Sequence, residues 1–227
     1  MISITEPKSL KNALRMIKKI SKEAGIIIQD NQITISALSP SNVALMELSK
    51  TFEAETAIFK IEDVGILEKL LPDTGEIDME ISGNVLKLQI ISKRKKGLEL
   101  KISEYSKINL DYNPKNSFLI PSEVLSEIIE DAGSIGQYLT VSLSPEAILF
   151  KAQDEYGSTK YNIDISSDIS EQNIMESFES KVMVNYLRVL NDISGDIKIR
   201  MDPNRPLLAE FQYNGFDGKL YIAIAGD

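Results

Sequence analysis

Residues 2–22 read ISITEPKSLKNALRMIKKISK, and residues 117–136 read SFLIPSEVLSEIIEDAGSIG. Each opens as a short alternating strand, meets a proline and continues with apolar residues at helical spacing. Proline suits the first helical turn, where its missing N–H has no partner to lose. Pro7 and Pro121 stand 114 positions apart, almost half of the 227-residue chain. A strand–proline–helix unit recurring at half the length predicts an internal duplication.

The flanking sequence repeats in the same order. After the first helix come Ile26, Ile27 and Ile28, a turn at Asp30-Asn31, and alternating stretches at 33–36 and 43–48. After the second come 139–143, a turn at Ser144-Pro145, and 148–152. Such alternation predicts hairpin strands with one wet face. The back halves match too. A short helix over 61–71, Gly75 and strands at 77–81, 85–91 and 98–102 are echoed by a short helix over 184–193, Gly195 and strands at 197–201, 207–213 and 220–224. Each copy reads β-α-β-β-β-α-β-β-β, an α+β fold. Asn, Asp and Pro without periodicity over 104–116 read as a linker, so domains are expected at 1–103 and 117–227.

The composition, 43% hydrophobic and 26% charged, is that of a globular chain with a proper core. There is no Cys, His or Trp. That excludes disulfides, thiolate nucleophiles, imidazole metal sites and Ser-His-Asp chemistry. The phosphate loop G-x-x-x-x-G-K-[ST] is absent, no apolar run approaches the roughly 18 residues of a membrane span, and the start lacks a signal peptide's apolar core. A cytoplasmic protein is expected. Glu76, Asp78 and Glu80 alternate on one strand face and are the best candidates for holding Mg²⁺. A half-buried strand with Ile77, Met79 and Ile81 inward produces the same row, so no catalytic residue, metal or cofactor is assigned.

The net charge of −9 argues against nucleic acid until its distribution is read. Residues 8–22 hold Lys8, Lys11, Arg15, Lys18, Lys19 and Lys22 with no acid, and 93–96 read Lys-Arg-Lys-Lys; the chain's 34 acids lie elsewhere. Lys8, Lys11, Arg15, Lys18 and Lys22 advance in steps of 3 and 4, one continuous helical stripe, with Leu10, Ala13, Leu14, Ile17, Ile20 and Ala24 on the core side. Unrelieved like charge costs a few tenths of a kcal/mol per neighbouring pair, which a merely solvated face would avoid by mixing signs. No aromatic residue interleaves the stripe for base stacking, and no cluster of groove-reading side chains accompanies it. The expectation is phosphate contact without sequence reading.

Four places together resemble the proliferating cell nuclear antigen (PCNA) family of archaeal and eukaryotic sliding clamps. They are the proline-initiated basic helix, ITISALSPSNVAL at 33–45, PLLAEFQY at 206–213 and GKLYIAIA at 218–225. The resemblance spans essentially the whole chain. It implies a ring of three subunits, homotrimeric or built with paralogues, with helices lining a hole that duplex DNA threads and sheets outside. The function implied is that of a processivity factor, not an enzyme, in the nucleoid of an archaeal cell. Lys69 and Arg188 on the short helices join the first-helix stripe as lumen candidates. One departure stands out: the helix over 121–136 carries Glu123, Glu127, Glu130 and Asp131 and no base. A clamp-fold scaffold that no longer encircles DNA, or one non-identical subunit of a ring, is the alternative this departure keeps open.

The resemblance also implies a docking pocket for a short peptide motif of DNA polymerase, flap endonuclease, DNA ligase and the clamp loader. Carried over, it comprises Leu38, Ser39, Asn42, Val43 and Leu45; Ile108 and Leu110 in the linker; Pro206 and Leu207; and Ile222, Ala225 and Gly226, the last standing where the family has proline. Subunits are implied to pair by strands, Leu98, Leu100 and Ile102 of one meeting Asn173, Ile174, Met175 and Phe178 of the next. The bases at 93–96 precede the first edge, and Glu171, Glu176 and Glu179 flank the second.

Overall fold

The computed structural model describes residues 2–52 and 54–225. The chain forms two compact units: the chain up to Leu110 with the turn Tyr213–Asp217, and Asp111–Gln212 with the chain from Gly218 on. Among the described residues no helix is long and apolar enough to cross a membrane.

The first unit runs β1 (Ile2–Ile4), α1 (Pro7–Ile17), β2 (Ala24–Gln29), β3 (Gln32–Leu38), β4 (Ala44–Thr51), β5 (Ala57–Ile61), α2 (Val64–Leu70), β6 (Glu76–Ser82), β7 (Val85–Ile91) and β8 (Lys95–Ser103). The strands are antiparallel in the order β1-β6-β7-β8-β5-β2-β3-β4. Leu10, Ala13, Leu14 and Ile17 bury one face of α1, which packs on β3 and β4. The interior of β2 and β3 is buried on both faces, not wet on one as their alternation suggested. The second face, which carries Gly25, Thr34 and Ser36, is covered as well. Thr34 Oγ1 and Ser49 Oγ lie 2.8 Å apart. The Tyr105 ring rests on Gly25, where a Cβ would fall 2.3 Å from it.

The second unit runs β9 (Asn116–Pro121), α3 (Ser122–Ile135), β10 (Tyr138–Leu143), β11 (Ile148–Gln153), β12 (Lys160–Asp164), β13 (Glu171–Asn173), β14 (Phe178–Met183), α4 (Val184–Leu187), a 3₁₀ turn (Arg188–Asp192), β15 (Asp196–Met201), β16 (Leu207–Tyr213) and β17 (Phe216–Ile222). Its strand orders are β17-β16-β15-β9-β13 and β12-β11-β10-β14. These repeat the first unit position by position: β1-β6-β7-β8 corresponds to β9-β15-β16-β17, and β5-β2-β3-β4 to β14-β10-β11-β12. Only β13 lacks a counterpart among the described residues.

The expected three strands between helices are four in the first unit, because the sequence reading starts the short helix at Ile61, the last residue of β5, and assigns nothing to 57–60. Only two residues separate β5 from α2, so the two apolar patterns merge in sequence. In the second unit β14 runs into α4 without a break. The matched glycines do share a role. Gly75 and Gly195 precede β6 and β15 at φ +118° and +92°, a region that side chains disfavour.

Candidate nucleic-acid interface

Pro7 starts α1 and the helix stops at Ile17, so the basic stripe outlasts the helix meant to carry it. Lys8 and Arg15 are exposed and Lys11 half-buried on α1 itself. Lys18 sits in the closing turn, its N–H on the Leu14 carbonyl, and Lys22 lies beyond it. The helix ends in tighter bonds, Lys19 N to the Met16 carbonyl and Ile20 N to the Ile17 carbonyl, and the Lys22 carbonyl accepts the Val64 N–H, which ties the following segment to the start of α2. The Asp63 carboxylate caps α2 by accepting from Gly65 N at 2.9 Å.

The acids missing from the stripe's own sequence arrive from α2 and the loop after it. Arg15 donates through Nε and Nη2 to Glu68 Oε1 at 3.2 and 3.1 Å, and Lys18 Nζ lies 3.9 Å from Glu68 Oε2. The Glu68 side chain is 11% exposed against 55% for Arg15 and 45% for Lys18. Lys11 Nζ donates to Asp73 at 2.9 Å, and this bond, with the lysine's charge, holds the Asp73 carboxyl below its usual range. Lys8, Lys22 and Lys69 are exposed and form no ion pair among the described residues. Ile66 and Leu70, on either side of Lys69, are 47% and 42% exposed, an apolar pair the sequence reading missed.

The second unit presents the opposite charge. Glu123, Glu127, Glu130 and Asp131 are all exposed on α3. Glu130 accepts from Asn191 Nδ2 at 2.6 Å. Burial and the nearby Asp131 and Glu127 push the Tyr161 hydroxyl above its usual pKa. Arg188 is exposed and its guanidinium lies over Gly133 of α3. Glu76, Asp78 and Glu80 occupy the outer face of β6, and among the described residues no cluster of acids is arranged to hold a metal ion.

No protein-family model matches the chain. It is similar to DNA polymerase sliding clamp 2 of Pyrobaculum aerophilum, 22% identical over 91% of each chain. It is 23% identical to the DNA polymerase sliding clamp of Methanococcus maripaludis over 96% of this chain and 95% of that one. Among solved structures, a chain of the PCNA2–PCNA3 complex of Sulfolobus tokodaii superposes with a TM-score of 0.76 at 14% identity, covering 100% of this chain and 99% of that one. The chain has the fold of the archaeal PCNA-type sliding clamps.

Of the pocket residues that the clamp resemblance implied, Leu38 and Val43 are half-buried and Asn42 exposed, but Ser39 and Leu45 are buried. Ser39 is consumed by the turn, its Oγ accepting from Val43 N and Ala44 N at 3.1 and 3.0 Å. Leu207 and Ile222 belong to the core of the second unit, while Pro206 and Ala225 remain partly open. Gly226 lies outside the described residues. Ile108 is half-buried and Leu110 is 43% exposed. The linker is fastened at both ends: Tyr105 lies on Gly25, and the Tyr112 hydroxyl accepts from Asp202 N at 3.2 Å. Arg200 Nη2 adds bonds to Asn113 Oδ1 at 2.6 Å and the Pro114 carbonyl at 2.7 Å.

The strand edges expected to join clamp subunits are partly displaced. β8 pairs with β7 from Lys95 to Lys101, but with β5 only at Ile102 and Ser103. Residues 95–101 therefore offer a free edge among the described residues, with Leu98 and Leu100 half-buried and Ile102 buried. Lys95 and Lys96 belong to this strand instead of preceding it, and Lys93 to Lys96 are all exposed. The second edge starts later than expected. Asn173 already pairs with Ser117 of β9 and donates to the Lys115 carbonyl, and Met175 N donates to Asn116 Oδ1. Ile174 and Met175 fall outside any strand, Met175 being 64% exposed. The open strand is β14 from Phe178, last in its sheet, with one bridge from Val182 to Ile224.

Proposed function

We propose that this chain is one subunit of a ring-shaped DNA sliding clamp that encircles duplex DNA and tethers replication and repair enzymes without catalysing a reaction. The observation that carries this reading is the exposed basic layer on α1 and α2 of a doubled clamp fold whose overall charge is negative. A ring retains its substrate by topology, so it needs weak, sequence-blind phosphate contacts that allow sliding. An acidic exterior discourages DNA from binding elsewhere. Lys8, Lys22 and Lys69 are the freest contacts, with Lys11, Arg15, Lys18 and Arg188 behind them. Domains 1–103 and 117–227, joined by 104–116, supply the two ring segments.

Neighbouring subunits meet between the basic free edge of β8 and the β14 edge, with Glu176 before it and Glu179, which also pairs with Lys151, within it, opposite charges setting the pairing. Leu38, Asn42, Val43, Ile108, Leu110, Pro206 and Ala225 supply the docking surface for the short peptide motif of polymerase, flap endonuclease, ligase and clamp loader. The acidic α3 favours a ring of non-identical subunits. A homotrimer would alternate basic and acidic helices around the hole, and a paralogue with a basic second unit relieves that. The test is primer extension on circular DNA by an archaeal polymerase, with this chain alone and mixed with paralogous clamp subunits. Longer products are expected in at least one mixture; unchanged lengths in all of them contradict the reading.

A further inference from the structure

We propose that Glu68 is a built-in competitor for the DNA backbone, holding Arg15 and Lys18 in a weakened grip; this rests on the DNA-contact reading above. The carboxylate comes from α2 and the two cations from the end of α1, so the charge balance is a product of folding and not of the basic stretch itself. Two donors of Arg15 are spent on one oxygen of Glu68, and the other oxygen faces Lys18. The Lys18 stem is also confined, since a Cβ on Gly65 would lie 3.2 Å from its Cε.

Burial decides the competition. A surface carboxylate that loses its partner to a phosphate is rehydrated at little cost. Glu68 is only 11% exposed, and stripping it of Arg15 and Lys18 would leave a poorly solvated anion. The phosphate must outbid an acid that has little water to fall back on. Three charged groups thus present one net positive charge where the sequence promises two. Asp73 acts on Lys11 in the same sense, but at 70% exposure it releases its partner far more easily.

The test is salt-dependent binding of a short linear duplex to the assembled clamp, followed by fluorescence anisotropy. Glu68→Gln keeps the shape and removes the charge. It is expected to tighten binding roughly three- to tenfold and to steepen the slope of log K against log[salt] by about 0.9 for each released cation that reaches a phosphate. In an Arg15→Gln/Lys18→Gln background the same change is expected to do nothing. Asp73→Asn, exposed and harmless to folding, is expected to raise affinity less than twofold. A Glu68→Gln protein that melts like the parent yet binds no tighter, or more weakly, overturns the proposal; so does an equal gain in the double-glutamine background. If Glu68→Gln does not fold, an Asp73→Asn gain exceeding twofold contradicts the ranking by burial and overturns it as well. Should Lys8→Gln/Lys22→Gln leave binding and its salt slope unchanged, the DNA-contact reading itself fails, and the proposal with it.

Discussion

The two units share a strand order and differ in the charge on their helices. In the first, α1 and the segment after it to Lys22 carry six bases and no acid; in the second, α3 carries four acids and no base. The apolar positions that bury each helix are equivalent when the helix starts are aligned, Leu10 and Leu14 on one and Leu125 and Ile129 on the other, all buried. Packing constrains one face of a helix, and the opposite face is free to take whichever charge function requires. The difference between the halves therefore reports on what each faces and not on how each folds.

Charge reversal separates them most sharply. Lys8→Glu/Lys22→Glu/Lys69→Glu is expected to weaken duplex binding by about 100-fold or more at ~0.1 M salt, measured by anisotropy. Equal loss from an uncharged triple on α3, such as Glu123→Gln/Glu127→Gln/Glu130→Gln, would erase the distinction. The matched glycines sharpen the comparison structurally. Gly75→Ala combines a positive φ with a Cβ only 2.2 Å from the Ile91 carbonyl oxygen, whereas Gly195→Ala meets nothing within 4 Å. The first is expected to lower stability by about 2–3 kcal/mol and the second by about 1 kcal/mol in denaturant unfolding.

Smaller effects probe the second unit. Neutralising Glu123 and Glu127 is expected to tighten duplex binding by roughly threefold through relief of repulsion; no change would mean that these acids lie outside the DNA field. The smallest concerns Tyr112. Burial raises its hydroxyl from 10.0 to about 12, so the folded protein holds that proton more tightly than the unfolded chain. Its contribution is fully present below pH 10 and is lost as pH rises towards 12. Tyr112→Phe should flatten this alkaline limb in urea unfolding followed across pH, and an unaltered limb would exclude the assignment.

The duplicated fold was legible because Pro7 and Pro121, and Gly75 and Gly195, punctuate the same order of apolar patterns. The basic stripe and its buried opposite face were legible for the same reason, both being local. What escaped the sequence is non-local. Glu68 and Asp73 lie some fifty residues or more from the cations they neutralise. Leu45, Leu207 and Ile222 carry no mark that separates core from docking surface, and only folding shows them buried. Asn173 was placed at a subunit edge by the clamp resemblance alone, and its pairing with β9 spans a connection that no alternation records.

Linkage to DNA is the most direct measurement. The assembled clamp, loaded onto nicked circular duplex and isolated by gel filtration, is expected to stay with the circle at moderate salt and to dissociate within minutes of a single restriction cut. Loss from the intact circle at the same rate as from the cut molecule, or persistence on the linear product with free ends, would contradict an encircling ring.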